Sequence, residues 1–227
     1  MNILYIDSST EACTAGVSVD GDILSDFEIA PRGHAGLLMP MAERLMAQAG
    51  LGFPDLDLIG FGRGPGSFTG VRIATAMAQG VAISRDLPMA PVSSLACLAH
   101  GAWARFAAGL GPGEADRPHE VRIAIDARMG EIYRASYAAD SGGLQVELEE
   151  AVAAPGFPEA GDRPVIAAGT GFGRYPELLA IDGLASSDPE ALPRAEHALE
   201  LVRAMPHGAW IPPDQAVPVY LRDKVTG

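Results

Sequence analysis

Short apolar runs separated by small polar turns open the chain. Ile3 to Ile6 and Ala15 to Val19 flank Asp7-Ser8-Ser9-Thr10-Glu11 and read as a β-hairpin with an acid at its tip. A third strand, Ile23 to Ile29, follows the Asp20-Gly21-Asp22 turn, so the first sheet begins antiparallel. The period then changes. From His34 to Ala49 the apolar positions Leu38, Met41, Ala42, Leu45 and Ala49 fall on one helical stripe, with Pro40 cheapest in the first turn. Leu58 to Phe61 reads as a buried strand, and Gly62-Arg63-Gly64-Pro65-Gly66-Ser67-Phe68-Thr69-Gly70-Val71-Arg72 turns it into a helix running to about Ser84. Ser67 or Thr69 can cap that helix. Val71, Ala74, Thr75, Ala78, Val81 and Ala82 make one stripe on it, and Ile73, Ala76, Met77, Gly80 and Ile83 make a second. Little of such a helix suits water, so one face is expected on its own sheet and the other on a neighbouring helix, in this chain or another.

Pro88 to Leu95 reads as a strand end leading into a third helix, Leu95 to Ala108, capped by Ser93 or Ser94. The loop-like stretch 109–118 marks the expected boundary between a first lobe at 1–108 and a second, reduced lobe at 109–227, whose C-terminal helix can pack back on the first. The second half opens as the first does, with strand Val121 to Asp126, a turn through Ala127-Arg128-Met129-Gly130, and an alternating strand from Glu131 to Tyr137. Further strands are expected at Val146 to Val152 and Val165 to Ala168, then a turn at Gly169-Thr170-Gly171-Phe172-Gly173 and a helix from about Arg194 to Met205. The pattern is an α/β chain with a faint internal duplication.

Composition narrows the function. The 227 residues carry 29 acidic against 16 basic side chains, with Lys224 the only lysine, which disfavours unaided binding to nucleic acid or an anionic membrane. An apolar share of 48% supports a full core. Cys13 and Cys97 lie far apart and read as buried free thiols. The start of the chain lacks the pattern of a signal peptide, and no apolar run approaches the ~20 residues of a membrane span, so a cytoplasmic protein is expected.

Asp7 and Asp126 each end the first strand of a half. Paired carboxylates in a cleft could hold a magnesium–nucleotide, with Ser8, Ser9 and Thr10 near the phosphates; the bland alternative is a hairpin-turn aspartate in each half. The glycine-rich turn could cradle a phosphate, but its spacing fits neither G-x-G-x-x-G nor a P-loop, and a structural strand-to-helix turn is the simpler reading. The five histidines never sit at i, i+4 spacing, so no metal site is expected. Met39, Met41, Met46 and Met77 could form an adaptable contact surface or simply fill core.

The motifs Ile3-Leu4-Tyr5-Ile6-Asp7-Ser8-Ser9-Thr10, Gly64-Pro65-Gly66-Ser67-Phe68-Thr69-Gly70-Val71-Arg72-Ile73, Val92-Ser93-Ser94-Leu95, Ile125-Asp126-Ala127-Arg128-Met129-Gly130-Glu131-Ile132-Tyr133 and Pro218-Val219-Tyr220-Leu221-Arg222 together resemble the bacterial TsaB family, also called YeaZ. The resemblance spans the chain from end to end. It implies an actin-like ASKHA fold: two related α/β lobes, each with a mixed sheet that begins in a β-hairpin and is flanked by helices. It also implies a role in making N6-threonylcarbamoyladenosine at position 37 of tRNAs that read ANN codons. In that role the chain would be a scaffold for the transferase TsaD, working with the ATPase TsaE, and would form a homodimer when alone. The partner surface would be the helices of the first lobe, with Leu38, Met39, Met41, Leu45, Met46, Phe68, Arg72, Ala76 and Met77. Asp7, Ser9, Thr10 and Asp126 would line a vestigial nucleotide cleft with no tightly bound cofactor, ATP entering only in the complex and tRNA held mainly by partners.

Two departures bear on catalysis. The catalytic relative carries an H-x-x-x-H metal motif of which only His34 remains, and Gly169-Thr170-Gly171 is a thin version of a glycine-rich adenosine site. Both point to a pseudoenzyme. An ATP-dependent phosphotransferase using Asp7 and Asp126, and a metallopeptidase, stay open as alternatives.

Overall fold

The computed structural model describes residues 1–30 and 33–222. The chain forms two compact units, one of Met1–Cys97 with Pro193–Tyr220 and one of Leu98–Leu192 with the chain from Leu221.

The first unit holds β1 (Asn2–Asp7), β2 (Ala12–Val19), β3 (Asp22–Ile29), α1 (His34–Gln48), β4 (Leu58–Gly64), α2 (Phe68–Arg85) and β5 (Met89–Ser93). Its five strands run in the order β3-β2-β1-β4-β5. The pairs β1–β2 and β2–β3 are antiparallel, whereas β4 lies parallel to β1 and β5 parallel to β4. Asp20 and Gly21 both take positive φ, 49° and 106°, as a two-residue hairpin turn requires. Strand β1 is central and covered on both faces, which is why it reads as one apolar run rather than an alternation. Leu4 and Ile6 pack with Leu38, Met41 and Leu45 of α1 and Ala74 and Ala78 of α2. Ile3 and Tyr5 face the other way, onto Ala195, Ala198, Leu199 and Val202.

Those last four residues belong to a helix near the other end of the chain. The second unit comes between: β6 (His119–Asp126), β7 (Ile132–Asp140), β8 (Gly143–Ala153), β9 (Val165–Ala168), α4 (Thr170–Arg174) and β10 (Leu184–Asp188), with α3 (Ser94–Ala107) leading into it. Its sheet order, β8-β7-β6-β9-β10, repeats the order of the first sheet, and the parallel and antiparallel pairings match strand for strand. The faint duplication in sequence is thus a duplication of sheet topology, strand for strand. Among the described residues, no helix is long and apolar enough to cross a membrane.

Several features differ from the sequence reading. The units divide at Cys97/Leu98, inside α3, and not in the 109–118 loop. Trp103 and Phe106 of α3 pack on His119, at ring separations of 5.2 and 5.3 Å, which ties most of this helix to the second unit. The stretch expected as a turn at Gly169 to Gly173 is the short helix α4, and β10 is a strand the pattern did not reveal. The C-terminal helix, α5 (Ala195–Ala204), packs on the first sheet, the placement its sequence pattern left open. It can sit there because β2 carries a glycine: a Cβ on Gly16 would lie 2.8 Å from Leu199 Cδ1 and 3.0 Å from Ala195 Cβ. Leu199→Ala is therefore expected to destabilise the first unit by about 3 kcal/mol, through lost apolar burial and a residual cavity. Urea unfolding followed by Trp210 fluorescence would read this; a loss below about 1 kcal/mol would mean that α5 is not a core helix of the unit.

Candidate functional site

In the first unit the turn after β1 folds into the glycine-rich turn after β4. Asp7, Ser8, Ser9 and Thr10 are all buried. Asp7 Oδ1 accepts the Ser9 N–H at 2.7 Å, and Oδ2 accepts the Tyr5 hydroxyl at 3.1 Å. Ser9 in turn presents its carbonyl to the Ser67 N–H, at 2.7 Å. Ser8 Oγ donates to the Gly70 carbonyl at 2.9 Å, and the Ser9 and Ser94 hydroxyls share a hydrogen bond of 2.8 Å. Ser67 caps α2, its Oγ accepting the Gly70 N–H at 3.4 Å.

The glycines are explained by what stands against them. An added Cβ would fall 2.1 Å from Asp7 Cγ at Gly62, 2.1 Å from the Ser9 carbonyl oxygen at Gly66 and 1.9 Å from the Ser8 carbonyl oxygen at Gly70. Gly64 takes φ of 89°, a region in which side chains are strained. The G-x-G-P-G-x-x-x-G spacing therefore follows from three close approaches and one left-handed turn residue, all inside this chain.

The hydrogen-bond partners of Asp7 are uncharged, a tyrosine hydroxyl and a backbone N–H. Burial pushes its carboxyl above the usual carboxylate range, against the hydrogen bonds from Ser9, Tyr5 and Ser8 that favour the ionised form. The Tyr5 phenol is likewise pushed well up, first by burial and then by Asp7. Asp126, at the corresponding end of β6 in the second unit, has different surroundings. Its Oδ1 accepts the Arg128 N–H and its Oδ2 pairs with Arg128 Nη1, both at 2.9 Å, while its own amide donates to Thr170 Oγ1 at 3.2 Å. Beside it Gly169 and Gly171 press on β6, where a Cβ would come within 2.3 Å of the Ala124 carbonyl oxygen and 2.6 Å of Ala124 Cβ.

The helix surface is the second candidate, and here the sequence reading needs correction. Leu38, Met41, Leu45 and Met46 are buried in the core of the first unit and offer no docking surface. Helix α1 packs on α2 as well as on β2, so its buried face is wider than a single stripe and takes in Met46. Met39 and Met77 are half-buried, and Phe68, Arg72 and Ala76 are exposed. On α2 the Val71 stripe is the one that goes inward; the Ile73–Ile83 stripe faces out, with Gly80 and Ala76 exposed and Ile83 at 67% exposure. Tyr220 joins this face by stacking near Phe68, ring centres 5.7 Å apart, a contact that a short tail motif could not announce. His34 is buried, and its Nε2 has no hydrogen-bond partner among the described residues. Among those residues no three His, Cys, Asp or Glu side chains gather as a metal would need. Cys13 and Cys97 are free and buried.

A duplicated β-hairpin lobe with an aspartate closing each first strand defines the class, the actin-like superfamily. Residues 27–193 match the family model described as TsaD: tRNA N6-adenosine threonylcarbamoyltransferase. The tRNA threonylcarbamoyladenosine biosynthesis protein TsaB of Escherichia coli (strain K12) is 38% identical over 232 residues, covering 99% of this chain and 96% of that protein. The TsaB of Haemophilus influenzae is 34% identical over 239 residues, 100% of this chain and 95% of the other. The solved structure of YeaZ from Pseudomonas aeruginosa superposes with a TM-score of 0.85 at 38% identity, covering 97% of this chain and 99% of that one. The chain belongs to the TsaB (YeaZ) family, within the TsaD-like superfamily.

Two outcomes follow from the buried turn. Gly70→Ala places a methyl group on a backbone carbonyl that cannot swing aside, and is expected to cost about 3 kcal/mol in urea unfolding; a neutral result would contradict the packing described. For Asp7 the folded form binds a proton more tightly than the unfolded chain, so the stability this adds is fully present below about pH 3.9 and is lost as pH rises toward neutrality. The stability of Asp7→Asn relative to wild type should accordingly climb as pH rises above about 4. A difference that stays flat over that range would show that the Asp7 carboxyl is not perturbed.

Proposed function

We propose that this chain is a non-catalytic subunit in the formation of N6-threonylcarbamoyladenosine in tRNA, supporting a TsaD-type transferase together with the ATPase TsaE. The observation that carries the non-catalytic part is the filling of the glycine-rich turn. A phosphate-binding turn leaves its backbone N–H groups open to the ligand. Here the Ser9 carbonyl takes the Ser67 N–H, and the Ser8 and Ser9 carbonyls lie where side chains at Gly70 and Gly66 would go. The companion acid, Asp7, is buried with hydrogen bonds on both oxygens, a poor state in which to hold magnesium. Alone, the chain holds no nucleotide tightly.

The docking part rests on the outward face of α2, with half-buried Met39 and Met77 beside it. Phe68, Ala76, Gly80 and Ile83 form an exposed strip of apolar and small residues on one helix, the kind of surface that another helix covers by close approach. The transferase is the occupant in the complex, and a second copy of this chain is the occupant when it is alone. The acidic balance, a formal net charge of −13, leaves the tRNA to the partners.

The deciding experiment is threonylcarbamoylation of unmodified tRNA by reconstituted partners, with this chain present, omitted, or replaced by Asp7→Asn. Activity should vanish on omission and return with either form of the chain. Should Asp7→Asn bind the transferase yet fail to restore activity, this lobe contributes chemistry and the proposal is wrong. Micromolar binding of magnesium–ATP by the isolated chain, abolished in the same variant, would instead favour a phosphotransferase.

A further inference from the structure

Arg72 stands on the outward face of α2 with its side chain already fixed. Its guanidinium carbon lies 3.6 Å from the centre of the Phe68 ring and 5.5 Å from that of Tyr220. Its Nε donates to the Tyr220 hydroxyl at 2.7 Å. Among the described residues no carboxylate pairs with it, and α2 itself contains neither Asp nor Glu. An arginine held this way has its Nε engaged and both amino groups free to take a planar acceptor.

Tyr220 reaches this place at the end of a tail that is anchored along its length. Ile211 pairs with Met89 through two backbone hydrogen bonds of 2.8 and 2.9 Å, lengthening the edge of the first sheet. Gln79 Nε2, on α2, donates to the carbonyls of Pro213 and Ala216 at 2.8 and 2.9 Å. Ala216 is buried in the core beneath the helix. The Val219 N–H donates to the Arg63 carbonyl at 2.8 Å. The tail thus runs along α2 from beside Gln79 to beside Phe68, and its last described contacts in this unit are spent on Arg72.

We propose that the segment Pro213–Tyr220 is a positioning strap, and that Tyr220 holds Arg72 so that its guanidinium receives a carboxylate presented by the partner transferase. The inference rests on the docking reading above and adds the chemistry of recognition to it. Charge argues for the occupant: a single cation set in an apolar, acid-free helix face, on a chain of net charge −13, is a local inversion of sign that a complementary acid reads. A second copy brings the same acid-free α2, and its two helices together offer one carboxylate, the exposed Glu43 of α1, a contact that the self-association arm of the test reads.

The test is a double-mutant cycle on binding of the full chain to the purified transferase encoded in the same genome, read by calorimetry at low and high salt. Arg72→Met should weaken binding about tenfold and flatten its salt dependence, and Arg72→Lys should not restore it, because an ammonium lacks the planar fork. Tyr220→Phe should weaken binding roughly threefold in the native background and have no effect in the Arg72→Met background, with an unchanged melting temperature. Equal losses in both backgrounds, or none in either, overturn the proposal. An Arg72→Met effect on self-association in place of transferase binding also overturns it, assigning the contact to a second copy. Absence of any wild-type binding to the transferase would instead remove the docking reading itself, and the proposal with it.

Discussion

The contact between the Ser9 carbonyl and the Ser67 N–H organises the first unit. It joins the turn that ends β1 to the cap of α2, and so fixes where a long helix leaves the sheet. The approach is close enough that Gly66 and Gly70 cannot be anything larger, and Gly62 is held to glycine by the Asp7 side chain. Everything on the outer surface of α2 inherits its position from that junction. In related phosphate-binding architectures the same place in a strand–turn–helix is kept open for a ligand. Here the Ser8 and Ser9 carbonyls lie against Gly70 and Gly66, and packing inside the chain accounts for the glycines of the turn.

The two aspartates at equivalent positions show how one topology carries two electrostatic solutions. Among the described residues Asp7 pairs with no cation and is held by a phenol and a backbone N–H inside the protein. Asp126 pairs with an arginine two positions along the chain, in the turn that joins β6 to β7. A duplicated fold preserves where a carboxylate sits more strictly than what surrounds it, and function belongs to the surroundings.

Much of the architecture is legible in the sequence because it is local. The apolar run of β1, the Asp20-Gly21 turn and the Leu38–Leu45 stripe each reflect a period or a turn rule that few neighbours can override. What escaped is non-local. The amphipathic pattern of α5 shows that one face must be covered and leaves room for a return to the first lobe, but which residues receive it, Gly16 of β2 among them, depends on contacts far along the chain. Strand β10, Leu184-Ala185-Ser186-Ser187-Asp188, is too polar to announce itself and exists because its backbone pairs with β9. In the candidate site, the acids and the glycines stand out by type, but their meaning depends on distances between segments far apart in the chain. The methionines of α1 divided for the same reason: only packing against α2 decides that Met46 lies inside while Met39 stays at the rim.

The return of α5 and the strap to the first unit sets an order of events on the ribosome. Residues Met1–Cys97 emerge early, but the face of their sheet that carries Ile3 and Tyr5 stays bare until Ala195–Ala204 has left the exit tunnel. Leu98–Leu192, the bulk of the second unit, is synthesised in that interval. A nascent chain therefore carries an uncovered apolar sheet for most of its synthesis, the kind of surface that holdase chaperones occupy. The outward face of α2 waits longer still, for Tyr220, so the aromatic contact that Phe68 makes there forms only after the strands of the second unit have been made.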